Sequence, residues 1–183
     1  HAPNIDINSL DKITLIKGAS ALQYTGSALG GIIIGQSAKV SLQDSLYGNT
    51  SIIGASNGKG SVFRSKLTLT KSDGRYLSLN GSVKRFGDYS APNYIMRNTA
   101  TNEKSLSLKF GLNRVNYGFE FLYSFFNNEI GILKSAHVHT PQDQARAINS
   151  DFPLFTGDFT YEIEAPYQDV KHPVSYTHLT LPT

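Results

Sequence analysis

Phe63-Arg-Ser-Lys-Leu-Thr-Leu-Thr70, then Leu77-Ser-Leu-Asn-Gly-Ser-Val-Lys84 after a Lys71-Ser-Asp-Gly-Arg-Tyr76 connection, is the stretch that decides the fold class. Sorted by parity, Phe63, Ser65, Leu67 and Leu69 share one face, and Arg64, Lys66, Thr68 and Thr70 share the other. Leu77, Leu79, Gly81 and Val83 oppose Ser78, Asn80, Ser82 and Lys84 in the same way. Successive side chains of a strand point to opposite faces, so a period of two marks strands with one apolar face. Ser72-Asp73-Gly74 supplies a hairpin turn, because glycine tolerates positive φ.

Working outward, the pattern recurs. Leu106, Leu108, Phe110 and Leu112 oppose Ser107, Lys109, Gly111 and Asn113, and Phe119, Phe121, Tyr123 and Phe125 oppose Glu120, Leu122, Ser124 and Phe126. A weaker strand is expected over residues 45–55, closed by an Asn57-Gly58 turn. Gly87 to Asn102 reads as a long loop, Asn113 to Asn116 as a short one. After Asn127 some 40 residues lack alternation, apart from a short helix opened by Thr140 as N-cap and Pro141 at the first helical position, running to Ile148. Asp143 there suits the helix dipole.

An all-β sheet of this kind can bury its apolar face in a soluble sandwich or turn it to lipid in an outer-membrane barrel. Segments of about ten residues suit a tilted membrane crossing. With five antiparallel strands, the turns at Asp73-Gly74 and Arg114 fall on one side, and the long stretches after Phe86 and Asn127 on the other. Short turns on one side and long loops on the other fit a barrel, with Asn57-Gly58 as the short exception. Tyr76, Phe86, Tyr89 and Tyr117 are candidates for interfacial aromatic girdles, although Tyr76 and Phe86 break parity.

Composition narrows the function classes. The chain has 183 residues, ten Phe, ten Tyr and no Cys, which excludes disulfides, thiolate zinc sites and cysteine nucleophiles. A net charge of +3 comes from scattered basic residues without a basic stripe, so a nucleic-acid partner is not expected. Gly54-Ala-Ser-Asn-Gly-Lys-Gly60 lacks the spacing and the hydroxyl of a phosphate loop and reads as a hairpin tip. No enzyme signature is present, and neither a cofactor nor a metal is expected. His137 and His139, two apart in a loop, are the candidate substrate contacts and could share a metal only with a third ligand that the sequence does not place. Arg64, Lys66, Lys84 and Lys109 lie on the polar face beside Glu120. They either attract anionic cargo or, the favoured expectation, pair with acidic residues of a plugging domain, most of which lie outside this sequence.

Residues 1–36 read differently. A short apolar strand at Ile13-Thr-Leu-Ile16 ends in Lys17-Gly18, and Ala19 to Leu22 is small and helix-permissive. Tyr24-Thr-Gly26 turns the chain, and Gly30-Gly31 leads into Ile32-Ile-Ile34. The frame from Leu10 to Tyr24, continued by Ser27-Ala-Leu-Gly-Gly-Ile-Ile-Ile34, resembles the end of the plug domain of TonB-dependent outer-membrane receptors. Ala19 stands where that family usually has Pro, and Thr25 where it usually has Gly. The resemblance extends to about residue 173. It implies the C-terminal part of an α/β plug over residues 1–36, a linker over 37–44, and the first five strands of a transmembrane β-barrel with long extracellular loops over 45–173. Lys17, Gly18, Tyr24, Gly26, Gly30 and Gly31 are then structural signature positions.

The family's function would be active uptake of a scarce nutrient such as a ferric siderophore across the outer membrane of a Gram-negative bacterium. Its partners would be the TonB energy-transducing complex, outer-membrane lipid and the nutrient. An unplugged porin or autotransporter-type barrel and a secreted β-sandwich adhesin are the alternatives. The chain opens on His1 without a signal peptide and is read as a section of a longer protein. Its last ten residues, Val174 to Thr183, resemble a translated sequencing adapter and are expected to be non-native.

Overall fold

A computed structural model describes residues 12–26, 30–36, 41–136 and 140–180, and the chain is mostly β-strand. Strands β1 (Lys12–Ile16) and β2 (Ile32–Gln36) form an antiparallel pair of their own. A six-stranded antiparallel sheet follows, built from β3 (Ser45–Ala55), β4 (Gly60–Thr70), β5 (Arg75–Phe86), β8 (Thr101–Asn113), β9 (Gly118–Gly131) and β10 (Tyr167–Thr180). Within the β5–β8 connection, β6 (Tyr89–Ser90) pairs with β7 (Ile95–Met96), and between β9 and β10 lies helix α1 (Pro141–Ile148). Neighbours in the large sheet are neighbours in sequence, an up-and-down meander. No described helix is long and apolar enough to cross a membrane, which says nothing about strands.

Register carries the parity of single strands across the whole sheet. Leu67 pairs with Leu79, Leu79 with Leu108 and Leu108 with Tyr123, so the apolar sets of four strands merge into one surface. On the other side Thr68 meets Ser78, Ser78 meets Lys109 and Lys109 meets Leu122. The exposure of the two faces is the reverse of a soluble sheet. Leu67 and Leu79 are 51% and 46% exposed, whereas Thr68 and Asn80 are each 4% exposed. Short polar side chains on the second face bond across strands, Thr68 to Ser78 at 3.0 Å and Ser82 to Ser105 at 2.9 Å. On the apolar face the hydroxyls of Thr50 and Ser65 satisfy each other at 2.9 Å. Other side chains of the apolar surface are equally open, with Phe63, Val83 and Leu106 45–49% exposed.

Connections follow local chemistry. Gly74, at φ 92°, closes the β4–β5 turn with its N–H on the Lys71 carbonyl, and Asp73 accepts from the Arg75 N–H at 3.1 Å. A Cβ on Gly74 would meet the Asn113 carbonyl oxygen at 2.2 Å, so the turn also seats the end of β8. Asn57, Gly58 (φ 76°) and Lys59 make one turn of 3₁₀ helix, a hairpin tip as expected. Thr140 caps α1, accepting from the Asp143 N–H at 3.1 Å and donating to the Asp143 carboxylate at 2.8 Å.

Two expectations are corrected. The sheet has six strands rather than five: β10 pairs with β9 along its length, through residues 174–180. It was invisible to parity because its outward residues include Asp169, Lys171, Ser175 and Thr177, while Val170, Val174 and Tyr176 share the polar side. Backbone pairing at an exposed edge needs no apolar pattern. Tyr76 and Phe86 lie on the polar face and are buried there, so they are not part of an outward girdle.

Candidate functional site

The signature positions frame a β–3₁₀–β unit. After β1, Lys17 is extended and precedes a 3₁₀ helix over Gly18–Gln23, and Ser20 donates to the Lys17 carbonyl at 3.0 Å. Gly18 adopts φ 69° and Gly31 φ 131°, and a Cβ on Gly31 would sit 2.7 Å from the Ile16 oxygen. Both glycines are therefore demanded by the backbone, one by its dihedral and one also by close approach. Gly26 and Gly30 have open space around them. Tyr24 closes the helix through its N–H on the Ala21 carbonyl and leaves its ring exposed. The segment entering β3 is fastened to the sheet: Thr70 donates to the Gln43 carbonyl at 2.6 Å, and the Ser72 N–H to Asp44 at 2.6 Å. That backbone bond holds the Asp44 carboxyl below its usual range, with Lys71 adding to it.

The polar face collects the charged residues. Lys84 pairs with Glu103 at 3.8 Å and Lys109 with Glu120 at 3.7 Å. These two lysines thus find carboxylates on adjacent strands of the same sheet, which corrects the expectation of distant acidic partners. Glu120 also accepts from the hydroxyls of Tyr76 at 2.5 Å and Tyr176 at 2.9 Å. Tyr76, Gly111 and Glu120 form one cross-strand row, and the absent side chain of Gly111 lets the tyrosine lie across β8 to reach β9. Beside this cluster an open cavity of about 810 Å³ runs to Gln36 at the end of β2, with His178 also on its wall. Arg64 and Lys66 stand two apart on β4, with Ser51 and Ser82 beside the first and Asn49 and Asn80 beside the second.

At the opposite end of the sheet the two long connections are joined. The Arg97 guanidinium donates to Asp88 at 3.3 Å, to Glu164 at 3.0 Å and to the Asp158 carbonyl at 3.2 Å, and Lys134 pairs with the second oxygen of Glu164. These cations, Lys134 first, hold the Glu164 carboxyl below its usual range. Asn98, in left-handed backbone at φ 64°, donates to the carbonyls of Ile132, Glu164 and Pro166 at 2.7–3.0 Å and accepts from the Glu164 N–H at 2.8 Å. Asp88 is fully buried, takes the Thr99 N–H at 2.9 Å, and gives its own N–H to Thr160. Gly87 leaves room for the Phe159 ring, which a Cβ there would meet at 2.4 Å. Lys59 lies over that ring at 4.6 Å, and Arg85 over Tyr161 at 5.1 Å.

Sequence reasoning missed this hub. Several of its bonds join residues more than 60 positions apart, so no local pattern announces it. His137 and His139 lie outside the described residues, and among the described residues no group of three or more metal-ligating side chains occurs. No protein-family profile, curated protein or solved structure matches the chain.

Proposed function

We propose that this chain is a section of a plugged outer-membrane β-barrel that takes up a scarce nutrient with energy delivered through a TonB-type complex. The observation that carries the membrane part is the inverted polarity of the large sheet, with leucines and phenylalanines uncovered and serine, threonine and asparagine sheltered. Water penalises such a surface at about 25 cal/mol per Å² of apolar area, whereas hydrocarbon does not. Strands of 11–14 residues exceed the roughly ten that a tilted crossing needs. Turns of a few residues at one end and long, internally bonded connections at the other match barrel habit. The plug part rests on the resemblance of residues 10–34, to which the β1–3₁₀–β2 unit and its two required glycines lend support.

On this reading the joined loops face the exterior and present the substrate-selecting surface, and the β1–β2 unit is the last piece of the plug. Residues 174–183 are read as foreign to the barrel. In the described part of that tail, Ser175 and Thr177 occupy lipid-side positions while Val174 and Tyr176 turn to the polar side. The test is expression of the complete genomic reading frame. The protein should fractionate with the outer membrane and support growth under nutrient limitation only while the inner membrane is energised. Uptake indifferent to an uncoupler would reject the energy-coupled reading, and recovery in the soluble fraction would reject the barrel.

A further inference from the structure

At the short-turn end of the large sheet we propose a binding slot for the headgroup of an anionic phospholipid, formed by Arg75 and Arg114 beside Phe110, Leu112 and Phe119. The proposal rests on the barrel reading and names the lipid that one end of the outward face selects. Arg75 opens β5 on the outward side, and the outward residues of that strand then run Leu77, Leu79, Gly81, Val83 and Arg85. An apolar run thus lies between two arginines. Ten residues at about 3.4 Å span about 34 Å, and a tilt of about 40° reduces this to about 26 Å, the height of a barrel's apolar band. The two guanidinium groups therefore stand at the two headgroup levels. Arg85 is already engaged by the loops, over the Tyr161 ring at 5.1 Å. The Arg75 side chain is 70% exposed, and its bond to Asp73, 2.7 Å long, uses Nε rather than the terminal nitrogens.

Arg75, Leu112 and Phe119 form one cross-strand row, and Leu77, Phe110 and Phe121 the next. An open cavity of about 590 Å³ lies here, its walls combining the two arginines and Asp73 with Phe110, Leu112 and Phe119. Arg114 comes from the β8–β9 turn. Its Nε donates to the Asp73 carbonyl at 3.2 Å and its Nη1 to the Tyr117 hydroxyl at 2.9 Å, the arginine–tyrosine pairing of an interfacial belt. Two guanidinium groups act on the single carboxylate of Asp73, and Lys71 and Asp44 cancel one another at 3.8 Å, so one positive charge is left over. A phosphodiester brings one negative charge and two unesterified oxygens, which suit a guanidinium fork. Its acyl chains continue onto Phe110, Leu112 and the leucines of β5, whereas a free phosphate would leave that apolar wall in water. A zwitterionic headgroup would bring a cation of its own to a slot that is already positive.

The experiment uses the protein made from the complete genomic reading frame, reconstituted in phosphatidylcholine bilayers, with a fluorophore on Leu77→Cys and any cysteine outside this chain replaced. The probe is brominated phosphatidylglycerol at low mole fraction, compared with brominated phosphatidylcholine at the same fraction. Quenching should report a preference of about fivefold for the anionic lipid, the worth of one basic residue at a headgroup. R75Q/R114Q should abolish the preference, whereas R85Q, at the other end of the strand, should leave it unchanged. Equal quenching by the two lipids in wild type overturns the slot and leaves the barrel standing. A preference that R85Q lowers as much as R75Q/R114Q also overturns it, because overall charge would then be the cause. No quenching by either lipid rejects the barrel reading itself, and the slot with it. Should R75Q/R114Q fail to insert, R75Q alone decides: the preference should fall to about twofold, and an unchanged preference overturns the slot.

Discussion

Replacing Asn98 by alanine should release both long connections at once. The amide nitrogen of Asn98 serves three carbonyls, of Ile132, Glu164 and Pro166, and its oxygen holds the Glu164 N–H. Asn98 is 2% exposed, so water cannot readily take over these bonds. Loss of the two amide hydrogens costs about 2 kcal/mol at about 1 kcal/mol per net hydrogen bond. The orphaned Glu164 N–H adds about 1–3 kcal/mol, and a β-carbon held at φ 64° about 1 kcal/mol more. The sum, about 5 kcal/mol, corresponds to more than three decades in a local opening equilibrium.

Amide hydrogen exchange in micelles reads that equilibrium residue by residue. Protection should fall together at Asp88, Thr99 and Gly131 on one side of the hub and at Ile132 and Glu164 on the other, while the β4–β5 ladder keeps its rates. Asn98→Gly, which relieves the dihedral strain and nothing else, should recover about 1 kcal/mol of the loss. Protection lost in only one of the two connections would refute the idea that Asn98 couples them, and unchanged protection would refute the hub itself.

Two further outcomes are expected. Glu164 is held below its ordinary value of 4.5 by Lys134 and Arg97, so its contribution is fully present above that value and drains away as pH falls through the lowered one; exchange of the hub amides should accelerate in that acid range, and Glu164→Gln should remove the pH dependence. In Gly111→Ala the new Cβ would meet the Phe119 carbonyl oxygen at 2.2 Å and the Tyr76 hydroxyl at 2.9 Å, so the denaturation midpoint should report a loss of about 1–3 kcal/mol, whereas Gly81→Ala, with only ordinary contacts, should be near neutral.

Much of the sheet could be read from residues taken singly. Leu77, Leu79 and Val83 announced their face by spacing alone, because strand side chains alternate without regard to what lies beyond them. Turns at Asn57-Gly58 and Gly74 and the Thr140 cap were equally legible, since each is chemistry within four residues. What escaped was contact over distance. β10 is held by pairing to the edge of β9 rather than by pattern, and Asp88, Arg97, Asn98 and Glu164 have no meaning until two connections meet. The row Tyr76–Gly111–Glu120 was hidden for the same reason: Tyr76 looked like a parity error, and its role needs a glycine on one neighbouring strand and a carboxylate on the next.

The central claim, that the leucine and phenylalanine face lies against lipid, is open to one direct measurement. The chain has no cysteine, so single cysteines can be placed along β5 and β8, at Leu77, Leu79, Leu106 and Leu108 on one face and at Ser78, Ser105 and Ser107 on the other. Each is labelled with a small fluorophore in reconstituted bilayers containing brominated lipid. Quenching should alternate strictly with parity, strong at the leucine positions and weak at the serines between them. Equal quenching on both parities, or a chain that stays monodisperse in water without detergent and escapes quenching altogether, would contradict it.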